Sequence, residues 1–201
     1  MANGSSVVAI GDSWLDGIDA KDPASQSFIR LTADHFGWDL RLVAGNGGTG
    51  YVSYGNPPAV RGNYATRLAL QDENRSVRLL ILQGGINDNK FGSSAITYGV
   101  EDAIEMARLR FPRAELLVVG IASPSWPAGA NLISLNEAIA EVAQREGVRM
   151  IDPIAEEWLA QKPRKLFTRK GPAGNHPNTK GHAEYAKRLI EAIEAARGAG
   201  D

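Results

Sequence analysis

The 201-residue sequence contains no cysteine, which removes disulfides, thiolate nucleophiles, iron–sulfur clusters and cysteine-ligated zinc together. It has no excess of charge either: 22 Lys and Arg stand against 23 Asp and Glu, a net charge of −1. No broad attraction to nucleic acid or to an anionic membrane surface is therefore expected. No run approaches the roughly 20 apolar residues that span a bilayer. The opening residues, Met1 to Ser6, have neither the basic stretch nor the apolar run of a leader. That reading expects a cytoplasmic protein, and a chain trimmed of a leader or cut from a larger protein would read the same way. Neither a G-x-x-x-x-G-K-[ST] phosphate loop nor an H-E-x-x-H zinc helix occurs. No metal or organic cofactor is expected.

What is present is an ordinary globular composition, 43% hydrophobic and 22% charged, in a length that fits one domain, 1–201. Short apolar, β-branched runs at 6–10, 39–43, 77–82, 115–121 and 148–151 read as strands. Helical spacing of apolar residues marks 24–36, 96–110, 132–146 and 180–196, with Asn131 a possible cap and Gly147 a stop. Strands alternating with helices predict a parallel sheet of about five strands, covered on both faces.

In such a sheet, ligands bind beyond the carboxyl ends of the strands. The residues that follow the strands are accordingly the informative ones. They are Gly11-Asp12-Ser13-Trp14, the glycine-rich run from Gly45 to Gly50, and Gly84-Gly85-Ile86-Asn87-Asp88. Asn175-His176-Pro177-Asn178 precedes the last helix. Four clusters distant in sequence are expected to converge on one edge.

A serine hydroxyl is a weak nucleophile until a base takes its proton, and neutral histidine is the usual base. Acyl transfer then needs donors for an oxyanion, such as backbone N–H groups or an asparagine amide. Ser13, His176, a glycine N–H of the second cluster and the Asn87 amide make a complete set for that chemistry. His35 and His182 fall within expected helices and read as packing or capping residues. Gly45, Gly47 and Gly50 fit G-x-G-x-x-G, but after the second strand, and no helix start follows. Ser13 is not in a G-x-S-x-G elbow, because Leu15 stands where the second glycine belongs.

Taken together, these blocks resemble the SGNH (GDSL-like) hydrolases, whose four blocks contribute Ser, Gly, Asn and His. Gly11-Asp12-Ser13 resembles the first block, and Gly85-Ile86-Asn87-Asp88 resembles the Gly-x-Asn-Asp block. In the looser second block Gly48 aligns best with the oxyanion glycine, with Gly47 as the fallback. The resemblance covers almost the whole chain. It implies a flavodoxin-like three-layer α/β/α fold and ester or thioester hydrolysis. One departure stands out. The family's last block usually carries Asp three residues before the histidine, and this sequence has Ala173 there. A Ser–His dyad, an acid from elsewhere, or an inactivated variant each fits that change.

Aromatic residues crowd the strand-end loops. Trp14, Tyr51, Phe91 and Trp126, with Tyr54 nearby, are candidates to stack on sugar faces or line an acyl pocket. Removal of a short acyl group, acetyl above all, from a carbohydrate or small molecule is the expected reaction. A lysophospholipid or thioester substrate, acyl transfer to an alcohol, and a catalytically silent binding module stay open.

Overall fold

The computed structural model describes residues 4–55, 62–160, 163–168 and 175–198. Five parallel strands form one sheet: β1 (Ser6–Gly11), β2 (Asp39–Gly45), β3 (Leu79–Gln83), β4 (Glu115–Val119) and β5 (Arg149–Ile151). Their order across the sheet is β2-β1-β3-β4-β5, so the chain reverses direction of travel at β1. That switch point lies between β2 and β3, where Gly11 pairs with Gly45 and Ile10 with Leu82.

Strand side chains alternate between two cores, as the two-residue period of a strand requires. Val8, Ile10, Leu80, Leu82, Leu116 and Val118 face one side, against helices α3 (Tyr64–Ala69), α4 (Ser93–Arg110) and α5 (Ala130–Arg145). Val7, Ala9, Leu79, Ile81, Leu117 and Val119 face the other, against α2 (Phe28–Phe36) and α7 (Thr179–Gly198), with the short, solvent-facing α1 (Pro23–Gln26) lying against those two helices. Both faces are therefore buried, which explains why the strands read as unbroken apolar runs. Each fully buried Leu or Ile contributes roughly 1.5–3 kcal/mol. This is the three-layer α/β/α arrangement that the resemblance implies. Among the described residues no helix is long and apolar enough to cross a membrane.

Several boundaries differ from the sequence reading. The helix expected over 24–36 is two helices, because Ser27 is extended (ψ 149°) and ends α1 before α2 begins. Asp22 caps α1, accepting from the Ala24 N–H at 3.2 Å, with Pro23 in its first turn. The third strand starts at Leu79 rather than 77, and the fourth ends at Val119 rather than 121. Gly129, not Asn131, precedes α5; Asn131 lies in its first turn and donates to the Asn89 carbonyl at 2.7 Å. Helix α3 was not expected. Its start is set by Asn63, whose side chain accepts from the Thr66 N–H at 2.9 Å. Also beyond the sequence reading are α6 (Pro163–Leu166) and a small antiparallel pair, β6 (Phe167–Thr168) with β7 (His176–Pro177).

Candidate active site

The carboxyl end of β1 turns sharply and brings Ser13 to the edge of the sheet. The Asp12, Trp14 and Ser13 carbonyls accept from the N–H groups of Asp16, Gly17 and Ile18 at 3.2–3.3 Å, winding the chain into a compact elbow. This elbow presses on the end of β2: a Cβ at Gly45 would strike the Asp16 backbone. Only glycine fits that approach. The Asp12 side chain closes the elbow from within, its Oδ1 accepting from the Trp14 N–H at 2.8 Å.

His176 arrives from the other end of the chain. Strand β7 pairs with β6, Thr168 opposite His176, and β6 rests on the elbow through Phe167, whose ring lies 5.5 Å from Trp14. His176 Nε2 is 2.6 Å from Ser13 Oγ, across 163 residues of sequence. Asn178 then caps α7, its Oδ1 accepting from Lys180 and Gly181 N–H at 2.9 and 3.1 Å.

The third component is the loop after β2. Gly48 has φ 78°, in the left-handed region that glycine adopts without strain. Its carbonyl accepts from Ser53 Oγ at 2.8 Å. Two consecutive residues after β3, on a single 3₁₀ turn (Ile86–Asp88), grip this loop. Asn87 Nδ2 donates to the Thr49 carbonyl at 2.9 Å, which uses one of its two amide hydrogens and leaves the other. Asp88 is buried and accepts from the Tyr51, Val52 and Ser53 N–H groups at 2.8, 3.2 and 2.8 Å. Burial raises the Asp88 carboxyl above its ordinary range, against the opposing pull of those three donors. Asp12 is affected more strongly. Burial pushes it up to about 7, opposed by the Trp14 and Gly85 N–H groups.

The aromatic residues divide. Trp14 and Tyr51 are corrected by the structure: they are 3% and 0% exposed and serve the core rather than a ligand surface. Trp14 packs on Phe167 and Tyr185, and Tyr51 on Tyr64 at 4.7 Å. Phe91 is half-buried beneath Lys90, whose Nζ is 5.2 Å from its ring centre. Trp126 is 42% exposed and Tyr54, which the sequence also offered, 58%. His182 is buried between Phe28 and the elbow, with Nε2 3.2 Å from the Ile18 carbonyl and Nδ1 accepting from the Phe28 N–H at 3.4 Å. Burial holds its pKa below the ordinary histidine value. His35 meets Glu194 on the surface at 2.9 Å. Ala173 lies outside the described residues. Among the described residues no group of three or more His, Asp or Glu side chains is placed to hold a metal ion. The sequence reading gave Asp88 no role of its own and did not reach Arg67. Asp88 had a signal in its Gly-x-Asn-Asp block; Arg67 had none.

Comparisons with known proteins bear on the family and the fold. Residues 9–184 match the model of the GDSL-like lipase/acylhydrolase family. A GDSL lipase of Mycobacterium tuberculosis is 27% identical over 199 residues, covering 93% of this chain and 80% of the relative. The fold is similar to a carbohydrate acetylesterase family member from Sinorhizobium meliloti (TM-score 0.72, 14% identity, 96% of this chain and 99% of that one). It is also similar to a family two carbohydrate esterase from Clostridium thermocellum solved with cellohexaose (TM-score 0.66, 18% identity, 98% of this chain and 66% of that one). With its blocks gathered on one sheet edge and the family model spanning most of its length, this chain belongs to the GDSL-like lipase/acylhydrolase family.

Proposed function

We propose that the whole chain forms one catalytic domain, a serine ester hydrolase working through an acyl-enzyme on Ser13. His176 takes the hydroxyl proton as Oγ attacks the ester carbonyl. The Ser13 and Gly48 N–H groups and the Asn87 amide receive the oxyanion. As the tetrahedral intermediate collapses, the ester C–O bond breaks and His176 returns the proton to the departing alcohol. Water, deprotonated by the same histidine, then attacks the acyl-enzyme and releases the acid. The observation that carries this reading is the 2.6 Å contact between His176 Nε2 and Ser13 Oγ.

The substrate favoured is a short acyl ester, acetyl above all, of a carbohydrate or small molecule. Two of the similar structures are described as carbohydrate esterases. Trp126, Phe91 and Tyr54 are the remaining aromatic candidates for its contacts, and the exposed ring of Trp126 suits a sugar face. The test is turnover of 4-nitrophenyl acetate together with fluorophosphonate labelling and mass mapping of the modified residue. Ser13→Ala should lower turnover by at least about 10³-fold and abolish labelling, with an unchanged circular dichroism spectrum. Labelling that maps to another serine overturns the assignment. Ala173, in place of the family's carboxylate, favours one second reading, a binding module for acylated glycans. Absence of turnover and of labelling in the native protein, with binding of an acetylated oligosaccharide, selects it.

A further inference from the structure

Arg67 is a buried charged side chain that reaches the carboxyl ends of β1 and β2, the strands that lead into the Ser13 elbow and the glycine-rich loop. It comes from α3 and is only 5% exposed. Its Nη2 donates to the Gly11 carbonyl at 2.8 Å, two residues before Ser13. Its Nη1 donates to the Ala44 carbonyl at 2.5 Å, at the start of the glycine-rich loop. Nη2 also lies 3.3 Å from Thr49 Oγ1. That hydroxyl gives its own proton to the Asn46 carbonyl at 2.6 Å, so its lone pairs are free to accept from the guanidinium. The Thr49 carbonyl meanwhile accepts from Asn87. One planar cation thus touches the nucleophile's strand, the glycine loop's strand and the residue that Asn87 holds. The ring of Tyr64, 5.1 Å from the guanidinium carbon, backs it.

Burying a guanidinium is costly, and a hydrophobic side chain is often the more stabilising choice at such a place. A rigid fork with several donors nonetheless has one property that no apolar group has: it fixes acceptors at defined mutual distances. The acceptors here are the strand ends from which Ser13 and Gly48 project. We propose that Arg67 is a positioning residue of the oxyanion site, holding the Gly48–Thr49 loop against the Ser13 elbow so that the donors converge before substrate binds. This inference rests on the esterase reading above and names how that site is preorganised. A group that preorganises oxyanion donors acts on the transition state, so its removal lowers kcat and leaves KM nearly alone.

The experiment measures kcat and KM for 4-nitrophenyl acetate in the native protein, Arg67→Lys, Thr49→Val, Asn87→Ala and the pairwise combinations. Far-ultraviolet circular dichroism verifies the fold of each. Arg67→Lys keeps the charge but loses the fork; kcat should fall by about 10–10²-fold with KM within about twofold. Thr49→Val removes the hydroxyl, and with it both the Arg67 contact and the hydrogen bond to the Asn46 carbonyl, and should lower kcat by about 3–10-fold. In the Arg67→Lys background the further loss from Asn87→Ala should shrink by at least about fivefold, because the Asn87 amide then faces a loop and an oxyanion position that are already displaced. A kcat for Arg67→Lys within twofold of native, or a full additive loss with Asn87→Ala, overturns the proposal while leaving the esterase reading standing. If Arg67→Lys does not fold, Thr49→Val decides: an unchanged kcat overturns it. A native protein that neither turns over ester nor labels at Ser13 removes the esterase reading, and the proposal falls with it.

Discussion

At the amino-terminal edge of the sheet the charged residues stand in water and pair across the surface: Arg41 with Asp39, Arg75 with Glu73, and Arg108 with Glu146. At the carboxyl edge Asp12, Arg67 and Asp88 are all buried. Their partners are chiefly backbone groups of the strand-end loops. A groove of about 640 Å³, lined by Arg108, Ala114, Leu116, Gly147, Val148 and Arg149, opens at the amino-terminal edge, away from Ser13. Buried polarity, rather than this groove, marks the edge that carries the proposed site. Interior charge is expensive, and this chain concentrates it where three loops must be held in one arrangement.

The largest effect that tests this contrast is expected at Asp88. Asp88→Ala strips the acceptor from three N–H groups, those of Tyr51, Val52 and Ser53. The loss should be roughly 2–4 kcal/mol of unfolding free energy, read from urea denaturation. Asp88→Asn retains one acceptor oxygen and should recover part of it. A loss below about 0.5 kcal/mol, the size of an ordinary surface substitution, would mean that the two edges do not differ in kind.

Asp12 gives a contrast in pH rather than in size. Burial raises its folded pKa to about 7 from an ordinary carboxyl value of 3.8. Between those values the unfolded chain has released the proton and the folded chain has kept it. Unfolding then releases a proton, so stability falls as pH rises from about 4 to about 7, by up to roughly 1.4 kcal/mol per pH unit. His182 works in the opposite direction, because its lowered pKa removes stability as pH falls below about 6.5. Asp12→Asn isolates the first contribution. Between pH 5 and pH 8 its unfolding free energy should gain roughly 2–3 kcal/mol relative to the native protein. A constant difference across that range would mean that Asp12 is already ionised in the fold at pH 5.

The same division between edges explains what was legible in the sequence. The strands were, because both faces of the sheet are covered and each strand is continuously apolar. The four blocks were too, in that the structure brings them to one edge: Ser13 meets His176, and Asn87 holds the Gly48–Thr49 loop. The break at Ser27 was not, since Phe28, Leu31 and Phe36 continue the helical spacing past it. Nor was the division of the aromatics. Trp14 and Tyr51 adjoin the Ser13 and Gly48 blocks in sequence, yet their rings pack on Phe167, Tyr185 and Tyr64. Those partners come from elements the local sequence does not announce. Arg67 was the least legible. A lone arginine on a six-residue helix reads as a solvated face, and only the placement of Gly11, Ala44 and Thr49 around it turns it inward.

The smallest effect is expected at the amino-terminal edge, and its smallness is the point. Arg108 makes two contacts with Glu146, Nη1 to the carboxylate and Nη2 to the backbone carbonyl, both at 2.6 Å. By distance alone these match or exceed anything Asp88 makes. Glu146 also follows the last turn of α5, where a cation beside the free carbonyls is favourable. Yet both partners are solvent-exposed or nearly so. Once Arg108 is removed, water takes over the carboxylate and the carbonyl, so neither is left unsatisfied. Arg108→Gln should therefore change the unfolding free energy by less than about 1 kcal/mol, and less still in 0.5 M salt. Ester turnover should be unchanged. If Arg108→Gln instead matched Asp88→Ala in cost, distance and not burial would be setting the strength of polar contacts in this fold, and the contrast between the two edges would collapse.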